Sequence, residues 1–594
     1  MKIRIGHIGK VISLLDRKEK RRLLFVSFGS ILMALVEVVG VGSIMPFMAV
    51  AAKPEVIQTN RYLKYVYDTF GFSSTNSFLI ALGVFMLVLL LFSNATQAFV
   101  HYIKVRFTSM RRHTISLRML KGYLGKPYVY FLNRNSFDFI KNIITEIQQL
   151  IQGTLLQFVE LISRFIQICA LTAFLFVVNP VGTLGIFLSV VLIYGGIYFF
   201  VRSTLRRLGS ERFELNAERS RIVSEAFWGI KETKLVGAES IFTDEYSRPS
   251  KQLARNEALH EVIGDVPKFA LEAAAFSSMI LFVLVAITRS GGFQDAAASV
   301  GLYAYAGYRL MPAIQNMFKA ITKLRYGIPT AEKIVEEFAS VADALPVKKR
   351  TGKRLSFKRE LLFSNVTFTY PNIEKPVIGN LSASIPANSM TGFAGKTGSG
   401  KTTLVDILLG LLEPQTGTLI VDGVHIDRGN IGEWQSNLGY VPQNIYLSNS
   451  SVAENIAFGV AHGKLDMEAV EKAARMAQIH DFVVSEMKDG YKTTIGERGI
   501  RLSGGQRQRI GIARALYSNP AVLVLDEATS ALDGTTEEAV MDAIDALSGR
   551  KTIILIAHRL TTLHKCDTIH LMEKGNIVDS GTFNELKSRN PGFK

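Results

Sequence analysis

The sequence predicts a membrane-embedded α-helical bundle followed by a soluble α/β domain. Two observations support this fold class. About the first 330 residues contain long apolar stretches separated by basic segments. The remainder alternates charged, glycine-rich and short apolar segments, as soluble α/β domains do. A chain of 594 residues has room for both parts.

Six apolar segments are long enough to span a membrane, since a spanning helix needs about 20 mostly apolar residues to pair its own backbone amides. The segments are Leu23 to Ala51, Phe78 to Ile103, Thr154 to Val178, Val181 to Val201, Phe269 to Thr288 and Ala297 to Ile321. We therefore expect an N-terminal amphipathic segment over residues 1–22, a six-helix domain over 23–339, a linker over 340–358 and the soluble domain over 359–594.

The gaps between the spans predict the orientation. Two long gaps, Lys104 to Gly153 and Arg202 to Lys268, are rich in arginine, whereas the other gaps are short. The positive-inside bias places the long gaps and both termini in the cytoplasm. Structureless loops of this length are uncommon, so we expect the membrane helices to continue beyond the bilayer. Each gap should hold a short contact helix, within Tyr130 to Ile140 and Ser224 to Glu232.

The basic residues have a membrane explanation rather than a nucleic-acid one. The net charge is +17, but the cations stand between apolar stretches and do not form one continuous face. No nucleic-acid partner is predicted. In the N-terminal segment, the spacing of the apolar residues is helical and predicts a helix lying on the cytoplasmic membrane face. These residues are Ile5, Ile8, Val11, Ile12 and Leu15.

The soluble part contains a phosphate-binding loop of the pattern GxxxxGK[ST] between an apolar run and a helical pattern. Its glycines let backbone amides converge on phosphates, Lys401 reaches the β- and γ-oxygens, and Thr402 supplies a Mg²⁺ ligand. The predicted nucleotide-binding residues are Gly395, Lys396, Thr397, Gly398, Ser399, Gly400, Lys401, Thr402 and Thr403.

A second motif supplies acidic groups. Val522 to Leu525 is an apolar strand that ends in Asp526 and Glu527. Asp526 is suited to hold Mg²⁺, and Glu527 to polarise an attacking water. The motif follows the phosphate loop at a distance that allows its strand to return beside that loop in a parallel sheet.

Between these motifs lies Leu502-Ser503-Gly504-Gly505-Gln506, a turn at the start of a helical pattern. Its serine side chain and glycine amides could form another phosphate site. In this order the three motifs resemble ATP-binding-cassette proteins, and the chain is identified as a member of that family along its whole length. The resemblance implies that the turn, through Ser503, Gly504, Gly505 and Gln506, covers the ATP bound by a partner subunit.

The same resemblance assigns further roles. Tyr370 should stack on adenine, and Gln443 should sense Mg²⁺ and the membrane domain. His558 should contact the γ-phosphate and take part in catalysis, while Asp533 should signal between two ATP sites. Simpler explanations exist for each: Tyr370 is a core residue, Gln443 and His558 are hydrogen-bonded polar residues, and Asp533 caps a helix. Residues 494–499 resemble a segment of exporters that meets the membrane helices.

The resemblance implies that the ATP and Mg²⁺ site is completed by a second chain. The phosphate loop and the signature turn of one cassette should face away from each other, and this chain has one cassette. A homodimer with two equivalent sites is the simplest assembly. A heterodimer remains an alternative.

Charged residues inside the spans are the candidates for contact with the transported molecule. They are Glu37, Arg164, Lys268, Glu272 and Arg309. The segments around Pro46, Lys268 and Arg309 resemble bacterial lipid-linked oligosaccharide flippases, which implies a polyprenyl-pyrophosphate-linked sugar as substrate. Lys268 stands where those flippases have arginine, and Asn94 lies in a segment where they have a further basic residue.

Other functions fit the same sequence. The intramembrane charges could instead pair with one another as structural contacts. A multidrug, peptide or lipid A exporter would have this architecture, and an ATP-gated channel or receptor is an alternative of another class. The outer segment Asn60 to Phe70 is aromatic and amphipathic, so it suits an interfacial helix that meets either a lipid tail or the membrane surface.

Overall fold

The structure is a computed structural model that describes residues 5–178, 180–289, 293–343, 353–371, 373–496, 499, 502–528, 534–557 and 560–590. The chain divides into two units. The first consists of Met1–Lys126 and Arg134–Val347, and the second of Pro127–Asn133 and Lys348–Lys594. The second unit therefore includes a short piece of chain from within the predicted membrane domain.

The first unit is helical. Its helices, with α7 placed in the second unit, are α1 (Ile5–Ser13), α2 (Arg17–Gly42), α3 (Ile44–Ala52), α4 (Val56–Thr59), α5 (Arg61–Thr69), α6 (Thr75–Leu124), α7 (Val129–Leu132), α8 (Ser136–Lys141), α9 (Ile147–Leu150), α10 (Leu156–Val178), α11 (Pro180–Trp228), α12 (Ile230–Val236), α13 (Glu239–Arg289) and α14 (Phe293–Ser340). Two π-helical turns, Asn142–Glu146 and Ile151–Leu155, flank α9.

Among the described residues, four helical stretches are long and apolar enough to cross a membrane. They are Arg17–Ala52, Thr75–Leu124, Ser136–Val178 and Thr183–Trp228. The predicted fifth and sixth spans fall on α13 and α14, and the count of six stays a prediction. Helices α6, α11, α13 and α14 have 50, 49, 51 and 48 residues. At about 1.5 Å per residue each exceeds the roughly 30 Å of a bilayer core, as expected for helices that continue beyond it.

The predicted contact helices differ from the structure in their limits. The first is divided between α7 and α8, because Asn133 to Asn135 interrupt the helix and the Asn135 side chain caps the second piece by accepting from the Phe137 amide at 3.1 Å. The second is interrupted at Gly229, between the end of α11 and the start of α12.

The described end of the N-terminal helix packs against protein, and its position on the membrane face stays a prediction. Helix α1 packs against α14, and Val11 and Leu15 are 4% and 3% exposed. Leu14 is also buried. Burial against protein removes the same apolar area from water that a membrane surface would have covered. Residues 1–4 and the side chains of 5–8, including Ile5 and Ile8, lie outside the described part of the chain.

A buried ion pair fixes the π-helical segment to α11. Glu146 is fully buried, and its carboxylate accepts from Arg212 at 2.8 Å and from Asn216 at 2.9 Å. The Arg212 guanidinium also donates to the Thr330 hydroxyl of α14 at 3.0 Å. Gly327 of α14 lies against Gly153, where a Cβ on Gly327 would come within 2.8 Å of the Gly153 carbonyl oxygen. Three elements thus meet at a polar contact in the helical extensions.

The second unit holds two sheets and short helices. Its strands are β1 (Glu360–Phe368), β2 (Ile378–Pro386), β3 (Met390–Ala394), β4 (Thr416–Val421), β5 (Val424–His425), β6 (Leu438–Val441), β7 (Val522–Asp526), β8 (Thr552–Ile556), β9 (Thr568–Glu573) and β10 (Asn576–Gly581). Its remaining α-helices are α15 (Lys401–Leu408), α16 (Ile431–Gln435), α17 (Val452–Ile456), α18 (Met467–Met476), α19 (His480–Ser485), α20 (Gly504–Tyr517), α21 (Gly534–Asp545) and α22 (Phe583–Arg589).

The larger sheet positions the two phosphate-site motifs. Its strand order is β10-β9-β3-β8-β7-β6, with all neighbouring pairs parallel except β9 and β10. Strands β3 and β7, which carry the phosphate loop and Asp526, are therefore separated by β8 rather than adjacent. Their carboxyl ends still lie at one edge of the sheet, where ligands bind in open α/β folds. The smaller sheet is antiparallel in the order β2-β1-β4-β5.

A hydrophobic cluster between the sheets supports α15. Trp434, Phe363 and Phe393 are at most 2% exposed, and the Trp434 indole donates to the Leu408 carbonyl at the end of α15 at 2.7 Å. Val129 of α7 packs against the same cluster. The segment Pro127–Asn133 is thus part of the surface of the second unit.

Candidate functional site

The phosphate loop joins β3 to α15 in a conformation that requires glycine. Gly395 and Gly400 have φ values of 155° and 102°. A Cβ on Gly395 would lie 2.4 Å from the Met572 carbonyl oxygen, and one on Gly400 would lie 2.8 Å from the Ile378 side chain. Substitution at either position would force backbone movement, which explains why this motif needs those glycines.

Lys401 lies at the centre of this loop. Its ammonium group donates to the carbonyl oxygens of Gly395 at 2.7 Å and Lys396 at 3.1 Å, and the residue is 6% exposed. Burial lowers the pKa of the Lys401 ammonium, while Glu527 and Asp526 act in the opposite direction. The loop thus surrounds a buried cation, an arrangement suited to phosphate oxygens.

The acidic motif reaches the same edge of the sheet. Asp526 ends β7 and is 6% exposed. The Gln443 side-chain amide donates to the Glu527 carboxylate at 2.6 Å. Glu527 has a φ of 49°, unusual for a residue with a side chain, and its amide donates to the Ile556 carbonyl at 2.9 Å. The structure therefore brings Lys401, Gln443, Asp526 and Glu527 together.

The sequence analysis did not predict two residues that lie near Asp526, Tyr440 and Asp406. The Tyr440 hydroxyl donates to the Asp526 carboxylate at 3.4 Å, and burial raises the Tyr440 pKa. Asp406 on α15 is 9% exposed, and burial, with a smaller effect of Asp526, raises its pKa to about 6. Asp406 follows Lys401 by five residues, which is not the three- or four-residue spacing of helical neighbours, so the sequence carries no signal for it.

The donor set fits a magnesium ion. Among the described residues, no cluster of three His, Cys, Asp or Glu side chains could hold a metal. Mg²⁺ does not need one, because it is usually bound by one or two carboxylates together with water and substrate phosphates. Thr402, Gln443 and Asp526 offer a hydroxyl, an amide oxygen and a carboxylate, all of them the hard oxygen ligands that this ion prefers.

Tyr370 lies beside the phosphate helix. Its hydroxyl is 3.1 Å from the Thr403 hydroxyl, and its ring meets Phe368 edge to face at 5.0 Å between centroids. The residue is partly buried against the cluster that holds α15. This position is compatible with both the adenine contact and the core role that the sequence left open.

The signature turn begins a well-capped helix. The Ser503 hydroxyl accepts from the Gln506 amide at 3.2 Å, and the Gln506 side chain accepts from the Ser503 amide at 2.8 Å. This capping box starts α20 with Gly504 and Gly505 in its first turn. His558 and Asp533 lie outside the described residues, as do Glu497 and Arg498 of the exporter segment.

In the first unit, Arg164 is the centre of a polar chain between membrane helices. Its guanidinium donates to Glu160 at 2.7 Å and to the Gln167 oxygen at 2.9 Å. The Gln167 amide donates in turn to Glu37 at 2.6 Å, and Glu37 is 1% exposed. Lys104 of α6 donates to the other Glu160 oxygen at 2.7 Å. The chain links α2, α6 and α10.

Arg309 of α14 contacts α6 near this chain. Its guanidinium donates to Asn94 at 3.0 Å and to the Tyr305 hydroxyl at 3.2 Å. A cavity of about 300 Å³ opens beside the chain. Its lining residues are Met33, Asn94, Gln97, Ala98, His101, Lys104 and Arg164.

Of the five predicted substrate residues, only Arg164 lines this cavity. Lys268 and Glu272 are paired with each other at 3.7 Å on α13, and neither lines the cavity. The sequence analysis missed Glu160, Lys104 and Gln167. Glu160 had a usable signal, since it precedes Arg164 by one helical turn in the spacing of an ion pair. Lys104 had none, because its partner belongs to another helix.

The fold and the phosphate site define a nucleotide-binding membrane protein. Residues 378–530 match the family described as ABC transporter, and residues 23–305 match the ABC transporter transmembrane region. The chain belongs to the ABC transporter family and is an exporter-type chain, with its membrane domain fused to its ATPase domain. The predicted fold class and the predicted transport ATPase are confirmed.

Curated relatives share one name. Proteins of Cupriavidus metallidurans and Ralstonia nicotianae, each 30% identical over 80% of this chain, are ATP-dependent lipid A-core flippases, and the matches cover 79% and 80% of those proteins. A protein of Saccharophagus degradans with the same name is 30% identical over 81% of this chain and 80% of its own length.

A solved structure has the same fold. It is a bacterial Atm1-family ABC exporter with ATP bound, with a TM-score of 0.72 and 23% identity over 97% of this chain and 98% of that one. The comparisons identify this chain as an ABC exporter that is similar to bacterial proteins named flippases. They favour the lipid exporter that the sequence analysis held as its alternative over the oligosaccharide flippase.

Proposed function

We propose that the chain is an ATP-driven flippase for an amphipathic lipid with an anionic headgroup. The observation that carries the proposal is the polar chain between membrane helices, in which Arg164 lines a cavity and reaches Glu37 through Gln167, while Arg309 donates to Asn94 at the same cavity. Charged groups at membrane depth are costly and usually serve substrates or pathways. Guanidinium groups are well suited to phosphate and carboxylate groups.

A lipid A-type glycolipid is the first candidate substrate, because it is named for the relatives. A polyprenyl-pyrophosphate-linked saccharide is the second, since it also offers an anionic group to Arg309. A hydrophobic drug is disfavoured, because the cavity is lined by the cations Lys104 and Arg164 and by Asn94, to which Arg309 donates.

The decisive experiment is reconstitution of the whole protein in liposomes. ATP-dependent translocation would be measured for labelled lipid A, a polyprenyl-pyrophosphate saccharide and a hydrophobic drug. Movement of either anionic lipid but not of the drug supports the proposal, and the lipid that moves identifies the class. Movement of the drug alone would refute it.

Substitutions at the cavity test the residues themselves. Arg309→Gln and Arg164→Gln should each abolish or strongly reduce lipid translocation while basal ATP hydrolysis persists. Lys268→Gln is the matched control, since Lys268 is also a membrane-domain cation but pairs with Glu272 away from the cavity. Equal losses in all three variants would contradict the assignment of the cavity as the substrate site.

The energy comes from two chains that bind ATP between them. In each site Lys401 and the loop amides bind the phosphates, Glu527 orients and deprotonates the attacking water, and Tyr370 stacks on adenine. Ser503, Gly504, Gly505 and Gln506 of the other chain cover the nucleotide. His558 contacts the γ-phosphate, and Asp533 communicates between the sites. ATP binding closes the cassettes and opens the cavity outward, and hydrolysis resets it.

Thr402, Gln443 and Asp526 would hold a magnesium ion, which would supply charge compensation for the phosphates. Gln443 connects this position to Glu527 through its 2.6 Å hydrogen bond, so the two groups are oriented together. Two copies of the chain form a homodimer, and both termini lie in the cytoplasm, as the basic inner segments predict.

A further inference from the structure

Five cations occupy the first turns of α2, just before its apolar part. We name Arg17, Lys18, Lys20, Arg21 and Arg22 the basic collar; all five side chains are exposed. The next turns carry Leu24, Phe25 and Phe28, which are 70%, 66% and 63% exposed. Apolar side chains this exposed on a spanning helix face lipid, so the collar stands where the hydrocarbon ends.

The two acidic residues beside the collar, Asp16 and Glu19, pair with cations of α6. Glu19 is 6% exposed, and its carboxylate pairs with Arg111 and accepts from the Thr114 hydroxyl at 3.0 Å. Asp16 pairs with Arg118 at 3.0 Å, and Arg118 also donates to the Leu14 carbonyl at 2.7 Å. Both acids are therefore neutralised by cations of α6 rather than by the collar.

The collar keeps its positive charge as a consequence. Within the described part of the chain, none of its five cations forms an ion pair. The arrangement differs from an ordinary solvated surface, where acids and bases alternate and compensate each other.

We propose that the basic collar binds the anionic headgroups of phospholipids in the adjacent membrane leaflet. Lysine and arginine beside a spanning helix gain about 1 kcal/mol each at an anionic membrane surface, which is about fivefold in affinity per cation. The pairing of Asp16 and Glu19 with cations of α6 is what leaves this gain uncancelled. The site is separate from the cavity and does not depend on which lipid is transported.

Spin-labelled lipids test the proposal directly. The whole protein is reconstituted in phosphatidylcholine, and the fraction of motionally restricted phosphatidylglycerol probe is compared with that of a phosphatidylcholine probe. Wild-type protein should prefer phosphatidylglycerol, and salt should weaken the preference. Replacing all five collar cations by glutamine should lower the relative association constant at least about fivefold, the value expected for one cation.

Two further variants keep the test decisive. A variant with Arg17, Arg21 and Arg22 replaced by lysine retains the charge and should retain the preference. In a control variant Arg248, Lys251 and Arg255, exposed cations of α13, are replaced by glutamine. Lys251 precedes Phe269, where the predicted fifth span begins, by 18 residues. This is about 27 Å along a helix, so these cations lie far from the predicted span.

ATP hydrolysis in phosphatidylcholine should match the wild type in every variant and so reports folding. An unchanged phosphatidylglycerol preference in the glutamine variant would overturn the proposal. An equal loss in the α13 control would overturn it as well.

Discussion

At the scale of single residues, Glu527 combines a strained backbone with a short hydrogen bond. Its φ of 49° costs on the order of 1 kcal/mol or more for a residue with a Cβ, and its carboxylate accepts from Gln443 at 2.6 Å. Both features fix the direction of the carboxylate. Strain that persists at the end of a buried strand is consistent with a catalytic orientation.

The Glu527→Gln variant tests that role. An amide keeps the shape of the side chain but cannot accept a proton, so ATP should bind with near-wild-type affinity while hydrolysis falls by about 100-fold or more. Binding of a fluorescent ATP analogue and release of phosphate would be measured on the same preparation. Hydrolysis at the wild-type rate would contradict the catalytic assignment.

His570 gives the second unit a predictable pH dependence. The residue is 7% exposed on β9, and burial lowers its pKa from the usual 6.5. Below pH 6.5 the unfolded chain binds a proton that the folded state does not, so stability falls as pH falls, by at most about 1.4 kcal/mol per pH unit. Above pH 6.5 the effect vanishes.

Thermal unfolding of wild type and His570→Gln measures this effect. The difference between the two melting temperatures should change between pH 5.5 and 6.5 and stay constant between pH 7.5 and 8.5. A difference that is independent of pH over the lower interval would show that His570 does not titrate as its burial implies.

Motif residues were easier to predict than their contacts. The sequence identified Lys401, Asp526 and Glu527, because loop and strand patterns determine which end of a strand carries them. It could not identify the contact of Gln443 with Glu527 or of Arg309 with Asn94. Each of those pairs joins residues distant in the chain, and only packing determines their meeting.

At the scale of elements, the buried pair of Glu146 and Arg212 holds the π-helical segment against α11. Breaking such a pair from one side leaves an uncompensated buried charge. Glu146→Gln should therefore destabilise the first unit by about 3 kcal/mol or more. Thermal unfolding in detergent with a reporter in the first unit would measure this loss.

An exposed pair provides the control for that prediction. Arg221 and Glu225 on α11 are bonded at 2.8 Å, but both side chains are about half exposed. Glu225→Gln should change stability by less than about 1 kcal/mol, because water screens the pair. Equal losses in Glu146→Gln and Glu225→Gln would argue against a special role for burial.

Long helices were predicted more accurately than short ones. Basic segments too long for plain loops predicted the extensions of α6 and α11, and the structure has them. The π-helical turns beside α9 have no sequence signature of their own, since they arise from packing against α11 and α14. The burial of Val11 and Leu15 could not be predicted from the sequence either. An amphipathic pattern does not reveal whether protein or membrane covers the apolar face of a helix.

At the scale of the whole molecule, the proposed head-to-tail dimer predicts complementation between two inactive chains. Lys401→Ala removes a phosphate contact from a chain's own loop, and Ser503→Arg blocks the turn it offers to its partner. Each variant alone should form dimers with two defective sites. A mixed dimer collects both defects in one site and leaves the other intact.

Differently tagged chains purified as mixed dimers allow the measurement. ATP occlusion should be absent from either homodimer and return in the mixed dimer. If each chain instead completed its own site, the mixed dimer would also fail to occlude ATP. The same experiment with two wild-type chains provides the full signal for comparison.

The segment Pro127–Asn133 has a practical consequence for studies of the ATPase. A fragment that begins at the linker would lack residues 127–133, which normally cover part of the second unit. The apolar patch beneath Val129 would then face water. Such a fragment should aggregate more readily than the whole protein. Supplying the segment as a grafted or added peptide should restore the solubility of the fragment. The ATPase domain is therefore defined by two separate stretches of chain rather than by one cut in the sequence.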